Sequence, residues 1–156
     1  MYKRILLAYN GTREGRIALL ECAEIASFVK AETHLLAVAA PSISMYLEGY
    51  EGNVSEKGKA QEQKLMKNVL AEGLSTLTQR GYAVTGHFAV GEPVEQICRV
   101  ATELKCDLIV VGHKHHSRPG RWWRGALSRS LADYAPCSVL IAMTPEVAPQ
   151  PTGYGS

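Results

Sequence analysis

The sequence has little of what marks secreted, membrane or metal-centred proteins. Its 156 residues include only four cysteines, none in a C-x-x-C pair, so neither a zinc cluster nor a disulfide framework is indicated. No apolar run approaches the roughly 18 residues that span a bilayer. The charged N-terminal segment MYKR precedes too short an apolar stretch for a signal-peptide core. We therefore expect a reduced, cytoplasmic protein without a membrane segment.

An excess of charge of one sign is also missing. Seventeen Lys and Arg residues against fifteen Asp and Glu residues leave a net charge of +2, so no strong overall field favours nucleic acid or a membrane surface. The hydrophobic fraction of 46% is that of a globular protein. We predict one domain over residues 1–144. Residues 145–156, with three prolines and two glycines, are predicted to be a disordered tail.

Short apolar runs alternate with longer segments of helical periodicity along the domain. The predicted strands are residues 4–9, 34–39, 82–90, 107–111 and 138–142. The predicted helices are residues 13–30, 61–81, 93–104 and 125–134, and residues 41–59 are predicted to be a connection without regular structure. This alternation predicts an α/β fold, a doubly wound open parallel sheet with helices on both faces. Ligands of such folds bind at the carboxyl ends of the strands, where the strand order reverses.

The loop after the fourth strand, residues 112–124, is rich in basic and aromatic residues. It holds three of the five histidines and both tryptophans, and no acidic residue stands between Asp107 and Asp133. Because the loop leads into a helix N-terminus, its cations and the free backbone N–H groups suit a phosphate. The alternative is a solvated basic loop whose tryptophans pack on the body or on a partner.

Four segments resemble the universal stress protein family over nearly the whole domain. LLAYNGTREGRIAL is similar to the first strand and turn of that family, GEPVEQI to the entry of its third helix, CDLIVVGHK to its fourth strand, and GALSRSLADYAPCSVLIA to its ending. The resemblance implies a Rossmann-like sheet with strand order 3-2-1-4-5. It also implies a homodimer formed through the last strand, whose apolar edge is suited to pairing. In the alternative, the tail covers that edge in a monomer.

The nucleotide-binding members of the family carry the motif Gly-x₂-Gly-x₉-Gly-(Ser/Thr). Here the spacing falls on Gly112, His115, Gly125 and Ala126, so two of the four identities are changed. The side chain of His115 adds bulk where backbone would approach phosphate, and Ala126 lacks a hydroxyl donor. Asn10 replaces the usual aspartate, which removes a carboxylate contact to metal or ribose.

The resemblance implies a non-catalytic stress-response protein with a weak or altered cleft for ATP or another adenine nucleotide, with or without Mg²⁺. Val38 would lie beside the base. The other implied contacts are Ala8, Asn10, Gly11, Thr12, Gly112, His115, Gly125, Ala126, Leu127 and Ser128, with Arg118, Arg121 and Arg124 on the phosphates. An alternative function is a dimeric interaction protein that binds no nucleotide and docks partners through the basic tryptophan loop.

Enzymatic and metal-dependent functions have less support in the sequence. It contains no G-x-S-x-G elbow, no Walker Lys-Ser/Thr pair and no paired carboxylates in the basic loop. A nucleotide hydrolase is therefore a third hypothesis without a candidate base. His113, His115 and His116 lie close together, but no neighbouring Asp, Glu or Cys completes a metal shell.

Overall fold

The computed structural model describes residues 1–40, 56–114 and 126–144. The strands are β1 (Arg4–Ala8), β2 (Glu32–Ala39), β3 (Val84–Val90), β4 (Leu108–Lys114) and β5 (Ser138–Thr144). The helices are α1 (Arg13–Val29), α2 (Glu56–Gln79), α3 (Pro93–Glu103) and α4 (Ala126–Tyr134). The strands form one five-stranded sheet in the order β3-β2-β1-β4-β5, and every neighbouring pair is parallel. The predicted fold class and strand order are confirmed.

Two apolar layers cover the sheet, which explains why its inner strands are almost wholly apolar. In β1, Ile5 and Leu7 face the layer that contains α1 and α2. Leu6, between them, faces the opposite layer, which contains α3 and α4. All three side chains are fully buried, as alternation along a doubly covered strand requires.

Helix α2 begins earlier than its periodicity predicts. It starts at Glu56, so the prediction of an irregular connection was wrong for residues 56–59. The first turn contains Lys57, Gly58 and Lys59, with no apolar residue to signal a buried face. Periodicity reports only the part of a helix that packs on the core.

Strands β4 and β5 extend beyond their predicted ends. Strand β4 continues past Gly112 to Lys114, and the two strands stay in register up to the pair of Lys114 and Thr144. Strand β5 continues past residue 142 through Met143 to Thr144. Strand β3 begins at Val84, two residues after its predicted start. The predicted disordered tail lies outside the described residues.

Three helices end in the same left-handed turn. Gly81 follows α2 with φ of 85°, while Lys30 and Lys105 follow α1 and α3 with φ of 55°. In each turn, a backbone N–H one residue later donates back to a carbonyl of the last helical turn, as Ala31 does to Ala26 at 2.9 Å. This is the Schellman arrangement, in which glycine is the usual residue at the left-handed position. Gly81, the last residue of the predicted helix 61–81, follows the observed end of α2 at Gln79.

Candidate functional site

A cleft opens at the carboxyl ends of β1, β2 and β4, where the strand order reverses. Its volume is about 120 Å³, and its lining is mostly apolar: Ala8, Tyr9, Asn10, Gly15, Leu36, Val38, Pro93, Ile97, Val111, Gly112 and Leu127. Three helices contribute residues of their first turns to this lining, so their N-termini point toward the opening. At α3, the carboxylate of Glu92 already accepts from the backbone N–H groups of Val94 and Glu95. An apolar cleft beside several helix N-termini suits a ligand with one flat apolar part and one anionic part.

The turn between β1 and α1 forms one rim of the cleft. The Oδ1 atom of Asn10 accepts hydrogen bonds from the backbone N–H and the hydroxyl of Thr12, at 3.1 and 2.7 Å. Thr12 is the N-cap of α1, and its Oγ1 accepts from the backbone N–H of Gly15 at 3.1 Å. The carboxamide oxygen of Asn10 is therefore used within the protein. Its Nδ2 donor has no hydrogen-bond partner among the described residues.

The floor of the cleft depends on a close approach between β4 and α1. A Cβ atom on Gly112 would lie 2.4 Å from the carbonyl oxygen of Glu14 and 3.0 Å from the backbone nitrogen of Gly15. Backbone atoms cannot give way as a flexible side chain can. Gly112 is thus required for packing of the strand against the helix, in addition to any role in approaching a ligand.

Tyr9 supports the cleft from the side of α1 and α2. Its side chain is 3% exposed, and its hydroxyl donates to Oε1 of Glu72 at 3.2 Å. The same oxygen accepts from Nε of Arg16 at 3.0 Å. Burial is the largest cause of a raised pKa for Tyr9, followed by an opposing hydrogen bond from Arg16 and the nearby charge of Glu72. The phenol is therefore neutral at physiological pH and acts as a donor between the two helices.

The beginning of α4 brings a second polar pair close to the cleft. Ser128 is 9% exposed, and its Oγ lies 3.5 Å from Nδ1 of His113 on β4. Leu127 lies beside it in the wall of the cleft. The long Ser–His separation fits a packing contact better than an activated nucleophile, whose hydroxyl would be expected within about 3.2 Å of its base.

The structure brings several of the predicted site residues together. Those that line the cleft are Ala8, Asn10, Val38, Gly112 and Leu127. Gly11 and Thr12 build the rim turn, and Gly11 has φ of 77° with its backbone close to Val69. The backbone of Ala126 begins α4. The predicted contacts His115, Arg118, Arg121, Arg124 and Gly125 lie outside the described residues.

Sequence reasoning missed six residues of the lining: Tyr9, Gly15, Leu36, Pro93, Ile97 and Val111. Leu36 could have been found, because it precedes Val38 by two positions and therefore faces the same side of β2. Pro93 and Ile97 belong to α3, and their place in the cleft depends on how that helix packs across the sheet. No local pattern carries that information.

In the part of the chain that the structure describes, no group of side chains is arranged for metal binding or for thiol chemistry. There, no group of three or more His, Cys, Asp or Glu side chains could hold a metal ion. All four cysteines are free. Burial raises the pKa of Cys22 to about 12 and is the main cause of a pKa of about 11 for Cys106, so both thiols are protonated and unreactive. Over the same ranges, no helix combines the length and apolarity that crossing a membrane requires.

Comparison with known proteins agrees with this geometry. The sequence model of the universal stress protein family matches residues 1–142. The chain belongs to the universal stress protein family. A universal stress protein of Staphylococcus haemolyticus is 26% identical over 148 residues, which cover 94% of this chain and 87% of the relative. The predicted family is confirmed, and the chain is a stress-response protein by family.

Solved universal stress proteins share the fold. A family member from Burkholderia pseudomallei has a TM-score of 0.70 and 22% identity, with 90% of this chain and 95% of that chain covered. A member from Arabidopsis thaliana, solved with AMP bound, has a TM-score of 0.63 and 17% identity, with 92% and 93% covered. Other members were solved in complex with cAMP and with dAMP. At these identities, the likeness establishes the fold alone.

Proposed function

We propose that this universal stress protein is a non-catalytic regulatory protein that binds an adenine nucleotide in the cleft. The observation that carries the proposal is the position of an apolar cleft at the reversal point of the sheet, beside the first turns of α1, α3 and α4. The AMP, cAMP and dAMP complexes of proteins with the same fold support adenine nucleotides as the ligand class.

The size of the cleft limits how such a ligand would bind. Its volume of about 120 Å³ is smaller than the roughly 300–1,000 Å³ of pockets that enclose whole drug-sized ligands. We infer that the adenine base enters between Val38, Ile97 and Leu127. The ribose and phosphates then lie outside, against the rim turn and the beginning of α4. The Nδ2 amide of Asn10 is a donor there and suits an oxygen of the ligand.

Asn10 also bears on the role of Mg²⁺. Its oxygen already accepts two hydrogen bonds from Thr12, and an amide carries no charge to attract a cation. The proposal therefore assigns no metal to this position. We expect the affinity for AMP to be equal in Mg²⁺ and in EDTA.

Arg118, Arg121 and Arg124 are proposed to contact the phosphates. Solvent-exposed charges are screened over about 10 Å at 0.1 M salt, so affinity that depends on them falls as salt rises. Replacing all three with Gln should remove both the salt dependence and most of the affinity. Affinity that stays high in this variant would instead assign the phosphates to backbone N–H groups.

Calorimetric titration of the purified protein with AMP and ATP tests the proposed function. Val38→Phe should fill the cleft and abolish binding, while Val90→Phe, on the exposed end of β3, serves as the matched control and should bind as the wild type does. Heat that stays flat at millimolar nucleotide, together with no nucleotide released on denaturation, would overturn the proposal. Nucleotide-free docking through the basic tryptophan loop would then take its place.

We also propose that two copies pair through β5. Ile141 and Met143 on this edge strand are 39% and 43% exposed, and Tyr134 of the neighbouring α4 is 75% exposed. An apolar edge with unpaired backbone groups invites a second strand, and antiparallel pairing about a two-fold axis would cover both copies at once. Light scattering should give a mass of twice 17.0 kDa.

A further inference from the structure

Two histidines meet on the face of the sheet that packs against α3 and α4, outside the cleft. The Nδ1 atom of His34 on β2 lies 2.9 Å from Nε2 of His87 on the edge strand β3. The ring centroids are 5.0 Å apart with an interplanar angle of 46°. In the strand register, His34 is opposite Thr85 and His87 is opposite Leu36, so the contact runs diagonally between the strands. We call these two side chains the imidazole pair.

The imidazole pair can hold its hydrogen bond in only some protonation states. A neutral imidazole has one N–H donor and one acceptor nitrogen, whereas an imidazolium has two donors. The 2.9 Å contact therefore forms when both rings are neutral or when the two rings share one added proton. With two added protons, both facing nitrogens are donors, so the hydrogen bond is lost and two like charges are in contact.

Burial makes the doubly charged state expensive. His34 is 4% exposed, and its Nε2 has no hydrogen-bond partner among the described residues. Oε1 of Glu32 lies 3.0 Å from that Nε2, close enough for charge attraction but without hydrogen-bond alignment. The other oxygen of Glu32 lies 3.3 Å from Nε of Arg4. Glu32 is therefore shared between a permanent cation and His34, and it favours no more than one added charge.

The remaining elements around the imidazole pair offer little compensation for a second proton. Helix α3 packs its apolar residues Ile97, Val100 and Ala101 on this layer. Of its three charged residues, Arg99 and Glu103 bond to each other at 2.8 Å, and Glu95 is exposed. In the turn before β4, the carboxylate of Asp107 accepts from the backbone N–H groups of Lys3 and Arg4, and the buried thiol of Cys106 is neutral.

We propose that the imidazole pair is a proton-binding site that controls how firmly the edge strand β3 is attached to β2. With no added proton or one, the hydrogen bond joins the two strands. Binding of a second proton breaks it and charges a buried contact, so β3 and its connection to α3 open. That connection begins at Gly91, whose N–H donates to the carbonyl of Ala39 on β2 at 3.0 Å.

The direction of the pH dependence follows from the lowered pKa of His87. Burial, followed by the neighbouring His34, lowers the pKa of His87, whereas an unfolded histidine titrates near pH 6.5. The open state therefore binds more protons than the closed state in mild acid. The stability due to the pair is fully present above about pH 6.5 and declines as pH falls toward the lowered pKa, with opening favoured up to about tenfold per pH unit for one proton.

Hydrogen exchange of the full chain between pH 7.5 and pH 5.0 tests the proposal. After correction for the intrinsic pH dependence of exchange, the opening constant of amides 84–90 should rise up to about tenfold per pH unit below pH 6.5, while amides 108–114 change less. His87→Gln keeps a side-chain partner for His34 but cannot titrate, so its β3 amides should lose this pH dependence. His116→Gln, the same substitution in the basic loop, is the matched control and should behave as the wild type does.

Two results would overturn the proposal. One is an acid response of β3 in His87→Gln equal to that of the wild type. The other comes from the wild-type protein alone, in which NMR titration should show two coupled steps, and the ring protons of His87 should report an apparent pKa below the ordinary value of 6.5. Two independent titrations near 6.5 would mean that the rings do not share a proton, whatever the stability of the variant.

Discussion

Strands β3 and β5 lie at the two edges of the same parallel sheet, yet they differ in the solvent exposure of their apolar side chains. On β3, the ring of Phe88 packs against Met66 of α2, with Nζ of Lys67 5.3 Å from the ring centroid. On the opposite face, His87 bonds to His34. On β5, by contrast, two large apolar side chains, Ile141 and Met143, are exposed, whereas on β3 the exposed apolar side chain is Val90 at the end of the strand.

The difference shows two ways of managing an exposed sheet edge. Both strands pack side chains into the apolar layers on both faces of the sheet, but on β3 a polar imidazole stands among them. Strand β5 carries an apolar surface that one chain does not cover. Natural sheets protect free edges with polar groups or use them for association, and this molecule has one edge of each kind.

The largest expected effect is on association through β5. Ile141→Lys should place two like charges near the two-fold axis of the proposed dimer and weaken association by at least about 100-fold, because like charges brought together at an interface cost several kcal/mol. Val90→Lys is the matched change on β3, where the original side chain is 53% exposed, and it should leave the mass unchanged. Light scattering at micromolar concentration measures both variants. A dimeric Ile141→Lys protein would place the interface elsewhere.

A smaller effect is expected from removing the aromatic side chain that packs β3 against α2. Phe88→Ala should lower the free energy of unfolding by about 2 kcal/mol, less than the 3–5 kcal/mol of a fully buried phenylalanine, because this ring is only partly buried. Met143→Ala is the comparison on β5 and should change the stability of the monomer by less than about 0.5 kcal/mol. Urea unfolding at a concentration that keeps the chains monomeric measures both. Equal losses would mean that the two edges are held alike.

The smallest effect concerns the cation above Phe88. Lys67→Met keeps the aliphatic stem but removes the charge, and it should cost about 0.5 kcal/mol, as exposed cation–π contacts do. The same urea series measures it. Lys64→Met, a substitution at another exposed lysine of α2, is the control and should have no measurable effect. A loss as large as that of Phe88→Ala would show that Lys67 contributes more than its charge.

The fold was predictable because the local periodicity of apolar residues indicates where strands and helices lie. Residues 107–111 are apolar throughout because both faces of β4 are covered, and Gly81 ends α2 because a left-handed turn follows. The early start of α2 was not predictable, since residues 56–59 include no apolar residue that would reveal a helical period. The exact end of β4 depends on pairing with β5, which lies far along the chain.

The candidate site was predictable only where it is built from the strands that carry the family resemblance. Asn10 follows β1, while Val38 and Gly112 lie near the carboxyl ends of β2 and β4, and all three were found by that reasoning. Pro93 and Ile97 line the cleft because of how α3 packs on the sheet, and this tertiary packing is not visible in the local sequence. The imidazole pair is a stronger case: His34 and His87 are separated by 53 positions, and only the strand register places them in contact.

The turns after α1 and α3 have a practical consequence. Lys30 and Lys105 adopt the left-handed conformation that Gly81 adopts in the third such turn, and a side chain there costs roughly 1 kcal/mol relative to glycine. Neither turn belongs to the cleft lining, to an edge strand or to the imidazole pair. Lys30→Gly and Lys105→Gly together should therefore raise the free energy of unfolding. In that more stable background, destabilising substitutions at the other sites could be measured in folded protein.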